Sequence, residues 1–568
     1  MTATGRGDNG ATDWCLSRQL WWGHRVPAYR VGDPPAGSPP EGLWVVGRHE
    51  AEARAAAARA LRRPPEELQL QQDPDVLDTW FSSALFPFAA LGWPQETPDL
   101  RRFYPTAVLE TGSDLLFFWV ARMVMLGQQL TGRLPFAQVL LHSLVRDAQG
   151  RKMSKSLGNV IDPRDVIAGA TPQELQERLR HKLLDPHELK VATEGQRRQF
   201  PHGIPECGTD ALRMALCAHN VHGDDIRLDV AGVLSYRHFC NKVWNAVKFV
   251  LAALGPDFVP RPPEETVPQR PMERWVLSRL AQAAGECGRR MEALEVHGAV
   301  AAVHHFWLRS FCDVYLEAAK GTLRDPDAAD AARRALLTCA DLGLRLLAPF
   351  APFLAEELWQ RLPRAPSPPP PAALLLAPFP DPARLERWRC PPVEAEVAAM
   401  LEVAKAARGL RDTFRLGSAR PPVVVQCPAE ARDWLAALGP ALQALAQVGP
   451  LELRPPGAGP GPGWVGAPAG EHFRVFLCLR GLVDPVATRA QLVARSRGLQ
   501  RRLQALGATQ GSGGATQGSG DHPAPPQQVA ILRSELARLA QALEALDSLE
   551  DPGGRGGHPG VGGGPGPQ

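Results

Sequence analysis

The sequence predicts an α/β region at its start, followed by an all-α helical bundle, a small α+β appendage and a helical hairpin. Three observations lead there. Two strand–turn–helix patterns stand close together, at Tyr104 to Leu126 and at Val139 to Asp165. From Ser235 onward, apolar residues recur at intervals of three and four, the period of a helix with one buried face. Near the end, two leucine-lined runs flank the duplicated heptapeptide GATQGSG at Gly507 to Gly513 and Gly514 to Gly520, which reads as two helices joined by a flexible linker.

Composition bounds the possibilities. A chain of 568 residues with 44% apolar side chains can form several domains with sizeable cores. Its 63 basic and 60 acidic residues leave a net charge of only +3, so a nucleic-acid partner would be met by local patches rather than by the overall field. The 10 cysteines never occur as Cys-x-x-Cys, the nearest pair being Cys207 and Cys217. That argues against a zinc site or a disulfide framework and for reduced thiols inside a cell; no metal ligands are expected. No apolar run reaches membrane-spanning length, and the first residues lack an apolar signal core, so no membrane partner is expected.

The elements follow from local chemistry. Asp13 to Tyr29 is abruptly aromatic and basic; its tryptophans, Trp14, Trp21 and Trp22, suit a buried corner, which leaves Arg18, His24 and Arg25 unexplained. Asp33 to Pro40 is a Pro/Gly loop, and Leu43 to Gly47 reads as a strand. His49 to Arg62, rich in Ala and Arg, forms a helix stopped by Pro64 and Pro65. Asp75 to Pro94 reads as core. In the first strand–turn–helix, Gly112 marks the turn and Asp114 stands just beyond the strand, where nucleotides dock in open α/β sheets. In the second, the apolar run Val139 to Val145 predicts a buried strand, with His142 near its end, followed by the polar turn Asp147 to Gly150. Asp162 then caps a helix with Pro163 at its first position and Asp165 in its first turn.

Later segments are helical. Phe239, Val243, Val247 and Val250 line one face of a helix whose Arg237, Lys242 and Lys248 remain for solvent or phosphate. Val276, Leu280, Ala283, Cys287, Met291 and Leu294 line the next, and Ala301 to Lys320 and Ala331 to Gln360 complete the bundle. Pro363 to Pro380 is a proline-rich spacer. Strand-like runs at Val423 to Gln426 and Phe473 to Leu479, with a Pro/Gly loop from Pro455 to Pro468, suggest the α+β appendage. In the hairpin, Leu492, Leu499, Leu503 and Leu506 face Val529, Leu532, Leu536, Leu539, Leu543 and Leu546. The tail after Asp551 is rich in Gly and Pro.

Between the second strand and its helix lies RKMSKSLGNVID, Arg151 to Asp162. Taken by charge alone it is a solvated basic loop. Lys152 and Lys155 are also flexible point charges able to follow a triphosphate as pyrophosphate leaves, with small residues that let the backbone approach phosphates. The string KMSKS resembles the signature loop of the class I aminoacyl-tRNA synthetases, and KMSKSLGNVIDP, DTWFSS at Asp78 to Ser83 and the tryptophan-rich Asp13 to Tyr29 resemble its valyl branch. PHGIPECGTDALRMALCA, from Pro201, is similar to the same branch.

The resemblance, from Asp13 to about Leu549, implies the C-terminal half of a Rossmann-like class I catalytic domain (1–170), a connecting stem (171–234) and an anticodon-binding helical bundle (235–365). After these come the α+β appendage (366–484), a coiled-coil hairpin (485–550) and a disordered tail (551–568). It implies valine–tRNA ligase activity, with ATP, Mg2+ accompanying ATP, valine and tRNA(Val) as substrates and partners, and no DNA partner. The alternatives are isoleucyl specificity or a tRNA-binding fragment without chemistry. By the same resemblance Lys152 and Lys155 are catalytic, and Gly112, Asp114, Lys152, Ser154 and Lys155 bind ATP. Trp80, Asp114 and Leu115 shape the amino-acid pocket. Arg237, Lys242, Arg495, Arg497, Arg501 and Arg502 are candidate tRNA contacts. Position 113 is Ser where many members carry His, and Leu115 stands where isoleucine is more common.

The departure from the family is large. No His-Ile-Gly-His or close variant occurs in the chain. The expectation is therefore the later part of an enzyme, without the first half of the nucleotide-binding fold or the editing insertion. Ser113 and the Arg-rich C-terminal region favour a mitochondrial member over a cytosolic one, although Met1 to Thr12 holds too little for a transit peptide.

Overall fold

The computed structural model describes residues 14–32, 42–153, 159–180, 186–220, 225–365, 371–457, 459–511 and 526–550. The chain divides into two compact units, one running to Met153 with Asn220–Leu228 added, the other comprising Ser154–His219 and Asp229–Gln568.

In the first unit, Ala28–Val31 is the centre of a three-stranded antiparallel sheet between Trp44–Val46 and Leu70–Gln72. The helix Glu50–Leu61 lays Ala53 and Ala57 against Tyr29, Val31 and Val45. His49 caps it, accepting from Glu52 N, and Arg62 ends it in the left-handed region. Gly47 permits this approach, since a Cβ there would lie 2.4 Å from Ala53 N.

A parallel pair, Thr106–Gly112 and Phe136–His142, carries the first strand–turn–helix pattern. Its crossover runs through a turn at Ser113–Leu115, a π-helical stretch at Leu116–Val120 and the α-helix Ala121–Thr131, which ends at left-handed Gly132. Ala84, Val120, Met123 and Phe136 form the core beneath it. The buried strand expected over Val139 to Val145 is corrected in two ways. It splits into Phe136–His142 and Val145–Arg146, the latter turning away to pair in parallel with Ile226–Arg227. Val139 is also exposed, because the strand has a single described neighbour and few side chains cover this stretch. The tryptophan corner needs a correction as well: only Trp14 is packed, while Trp21 and Trp22 are 106% and 93% exposed.

The second unit opens with short helices at Pro163–Ala168, Pro172–Arg180, Pro186–Gln199 and Thr209–Cys217. Asp162 caps the first of these, as its sequence predicts, accepting from Arg164 N. The bundle comprises Val230–Leu254, Pro271–Glu292, a rod through Val296–His305, Phe306–Tyr315 and Leu316–Thr322 whose middle part is π-helical, then Pro326–Leu347 and Pro352–Arg361. Phe239, Val243, Val247 and Val250 are buried, as are Val276, Leu280, Ala283 and Cys287. The single helix expected over Ala331 to Gln360 is two, broken between Leu347 and Pro352, where Pro349 and Pro352 remove amide donors.

The appendage is a four-stranded sheet in the order Leu451–Arg454, Val423–Gln426, Phe473–Cys478, Trp464–Ala469, parallel in the first pair and antiparallel in the others. Trp464–Ala469 replaces part of the expected Pro/Gly loop. Pro468 is tolerated there because the strand is an edge. Pro485–Gly511 and Pro526–Glu550 then form the hairpin around Leu492, Leu499, Leu532, Leu539 and Leu546. The first GATQGSG copy is thus partly helical; the second copy and the tail lie outside the described residues. All ten cysteines are free thiols. Among the described residues no helix is long and apolar enough to cross a membrane.

Candidate active site

The parallel pair ends on a polar cluster. Gly112 sits opposite His142 in the register, and the chain turns at once so that the Asp114 carboxylate folds back over Gly112. A Cβ on residue 112 would lie 2.6 Å from Asp114 Oδ1 and 3.8 Å from His142 Cε1, so only glycine leaves this space open. His142 is held by Glu110 Oε1, 3.0 Å from Nε2, and by the Ser143 carbonyl, 3.1 Å from Nδ1. Asp114 is exposed and Leu115 half-buried, which leaves the carboxylate open to a hydroxyl-bearing ligand at the C-terminal ends of parallel strands. The π-helical stretch starts directly after this turn, a geometry that often accompanies function.

Trp80 is placed by a residue that sequence reading passed over. Asp78, buried, caps the short helix Thr79–Ala84 by accepting from Trp80 N at 3.3 Å. Its Oδ2 also accepts from Trp14 Nε1 and Arg18 Nη2, each at 2.8 Å. Arg122 lies 3.8 Å from the same oxygen and stacks over the Trp14 ring. Asp78 thereby ties the aromatic segment, the DTWFSS helix and the crossover helix into one support. Trp80 is half-buried, its ring centroid 6.4 Å from that of Trp119. An Asp just before Thr-Trp is a readable helix cap; the arginine and the indole 60 or more residues upstream are not.

The approach to the basic loop is built on Asp147, wholly buried. It accepts from Gln149 N, Arg151 N and Arg151 Nε at 3.1, 2.7 and 2.8 Å, and Gly150 takes the left-handed conformation to close the turn. Lys152, exposed, follows in an antiparallel bridge with Arg146. Ser154 and Lys155 lie outside the described residues. The first unit therefore brings Gly112, Asp114 and His142 together and packs Trp80 on Trp119.

Comparison with known proteins bears on the family. Residues 9–229 match the family described as tRNA synthetases class I (I, L, M and V), and residues 273–426 match the anticodon-binding domain of tRNA ligase. The two matches give the chain a class I tRNA synthetase catalytic region followed by an anticodon-binding domain. It is 53% identical to the mitochondrial valine–tRNA ligase of Mus musculus, over 93% of this chain and 49% of that protein. With the human mitochondrial ligase the identity is 56%, over 87% and 47%. The human protein named valine–tRNA ligase without a compartment is 50% identical, over 87% and 40%. The chain thus spans about half the length, or less, of these relatives.

The candidate tRNA contacts, all outside the stretch that matches the anticodon-binding domain, differ in availability. Arg237 is exposed on the helix Val230–Leu254. Lys242 on the same helix, its side chain 42% exposed, forms an ion pair with Asp313, which also lies 3.4 Å from Arg309. On the hairpin, Arg495 pairs with Glu535 of the opposite helix, while Arg497, Arg501 and Arg502 are exposed. GTDALR serves packing: Asp210 accepts from the N–H groups of Phe353 and Leu354, at 3.4 and 2.6 Å, and burial pushes its carboxyl above the usual range. Among the described residues no three His, Cys, Asp or Glu side chains converge on a common point. Mg2+ bound by ATP phosphates and water needs no such cluster.

Proposed function

We propose that this chain supplies the signature-loop side of the adenylation site, and the tRNA-binding surfaces, of a mitochondrial valine–tRNA ligase. The valine carboxylate attacks the α-phosphorus of ATP and displaces pyrophosphate; the valyl group then passes to the terminal ribose of tRNA(Val), releasing AMP. Gly112 leaves room for the ribose, and Asp114 accepts from its hydroxyls. Trp80, with Leu115, walls the valine pocket with a rigid apolar face. Lys152, Ser154 and Lys155 meet the charge that builds on the leaving pyrophosphate, and Mg2+ carried by the nucleotide neutralises part of it. Arg237, Arg497, Arg501 and Arg502 meet tRNA phosphates.

The observation that carries this reading is the Gly112–Asp114 turn at the C-terminal end of parallel strands, with Trp80 held beside its crossover by Asp78. The decisive experiment uses a chimera in which this chain replaces the matching segment of the mouse mitochondrial ligase. Valine-dependent ATP–pyrophosphate exchange above isoleucine-dependent exchange is expected. Exchange with isoleucine alone, or with neither amino acid, overturns the assignment. A second reading, tRNA binding without chemistry by the unassisted chain, is favoured by one feature: the candidate site rests on only two paired strands among the described residues.

A further inference from the structure

The two carboxylate oxygens of Asp78 serve different parts of the first unit. Oδ1 accepts from Trp80 N at the start of the six-residue helix Thr79–Ala84, and Oδ2 accepts from Trp14 Nε1 and Arg18 Nη2. The side chain that joins them is only 7% exposed. Its donors are themselves held. Arg18 gives a further N–H to the Ser17 carbonyl at 2.9 Å. The Trp14 ring lies under the Arg122 guanidinium, 3.9 Å from its centroid, and meets Phe81 of the short helix, with ring centroids 6.1 Å apart. The backbone is pinned as well, since Asp78 N donates to Leu16 O at 2.8 Å beside the antiparallel pairing of Ser17–Arg18 with Val76–Leu77. A helix this short gains little from its own hydrogen bonds, so its cap and its neighbours decide where it starts. Trp80 is its second residue, and the place of the indole follows the cap.

We infer that Asp78 is a positioning residue for amino-acid selection: through its two oxygens it fixes the Trp80 wall to the Trp14–Arg18 segment, and so sets how far the pocket admits a side chain larger than valine. The inference rests on the proposed valine pocket, in which Trp80 is that wall. A carboxylate is required because both oxygens must accept. Asparagine has the same shape but a single acceptor oxygen, and its amide N–H groups would face either the helix start or the indole and guanidinium, all of which are donors. Whichever way the amide turns, one of the two attachments is lost and a donor is left without its partner. Asp78 touches no substrate in this role. It acts through Trp80, at a pocket where valine and isoleucine differ by one methylene, a difference worth about tenfold to two-hundredfold in selection.

The test is kcat and KM for valine and for isoleucine, by ATP–pyrophosphate exchange, in the chimera that carries this full chain, with and without Asp78→Asn and with rates normalised to titrated active sites. For Asp78→Asn we expect a valine KM raised by about tenfold, a kcat at saturating valine within about threefold, and a valine-over-isoleucine ratio of kcat/KM lowered by about tenfold. A residue that only supported the fold would lower the number of active sites and leave KM and the ratio unchanged, so that result overturns the inference. If Asp78→Asn does not fold, Arg18→Met, at a side chain 38% exposed, removes one donor from the same oxygen and should shift the ratio in the same direction; a ratio equal to that of the unaltered chimera overturns the inference. Absence of valine-dependent exchange by the unaltered chimera is a separate failure: it overturns the proposed function, and the inference falls with it.

Discussion

At the scale of single residues, the sharpest consequence concerns Lys155. On the proposed reading its ammonium acts on charge that develops as pyrophosphate leaves, so its removal should affect the transition state far more than bound valine. In the chimeric enzyme, Lys155→Ala is expected to slow single-turnover adenylate formation on the order of a hundredfold or more, as when one preorganised electrostatic group is lost. Valine affinity in the same titration should barely change; an unaltered rate returns the loop to a solvated charge run. A contiguous motif of this kind can be read as a candidate directly from the sequence. Asp78 and Asp147 could not, because their work depends on what they touch. Asp78 reaches Trp14 and Arg18 across more than half a hundred intervening residues, about which spacing says nothing. The pairing of Lys242 with Asp313 on another helix likewise could not be read from its own amphipathic stripe.

At the scale of elements, periodicity located the bundle helices and the hairpin but misjudged their interruptions. The prolines at 349 and 352 were in view, yet the apolar pattern ran through them; the strand Trp464–Ala469 was hidden by glycines and a proline that an edge position tolerates. The bundle also carries a pH response. His304 packs between Phe239 and Tyr236, with ring centroids 4.5 and 5.8 Å away, and burial, aided by Arg309 and His305, holds its imidazole below the ordinary value of 6.5. The unfolded chain takes up a proton before the folded one does. The contribution of His304 is therefore fully present above 6.5 and is lost as pH falls through the folded-state value. Urea denaturation of the wild type should show a larger loss of stability from about pH 7.5 to about pH 5.5 than that of His304→Phe; equal losses would show that this ring does not titrate on unfolding. In the hairpin, pairing across the helices is represented by Arg495 with Glu535, and such a surface pair contributes only about 0 to 1 kcal/mol. For exposed Arg497, Arg501 and Arg502 the proposed role is phosphate contact. Deleting Asp484 to Gln568 should weaken tRNA binding and flatten its dependence on salt, by about one unit of log–log slope per lost phosphate contact. An unchanged slope across a salt series would mean these arginines never met the backbone.

For the whole molecule, the question is whether this chain performs the first chemical step by itself. Its two units differ in how completely they are built. The second has a continuous core from the bundle through the appendage to the hairpin, and its candidate tRNA contacts stand on that core. The first presents the Gly112–Asp114 turn on two paired strands, and around them Val108, Leu116, Phe117, Phe118 and Val139 are exposed. Adenylation demands that the carboxylate, the α-phosphate and the leaving pyrophosphate be held in line by groups on several sides, since misplacement by an ångström can cost about a hundredfold. In the proposed site, Gly112, Asp114, Trp80 and the lysine loop address the ribose, the side chain and the pyrophosphate. The chain contains no His-Ile-Gly-His or close variant to address the nucleotide from the opposite side. Purified Met1 to Gln568 is therefore expected to bind tRNA yet to show valine-dependent ATP–pyrophosphate exchange no higher than a control without enzyme. The assay is direct, and one result reverses the argument: exchange well above that control, at saturating ATP and valine, would mean that the lysine loop and the Gly112–Asp114 turn suffice to align the reacting groups.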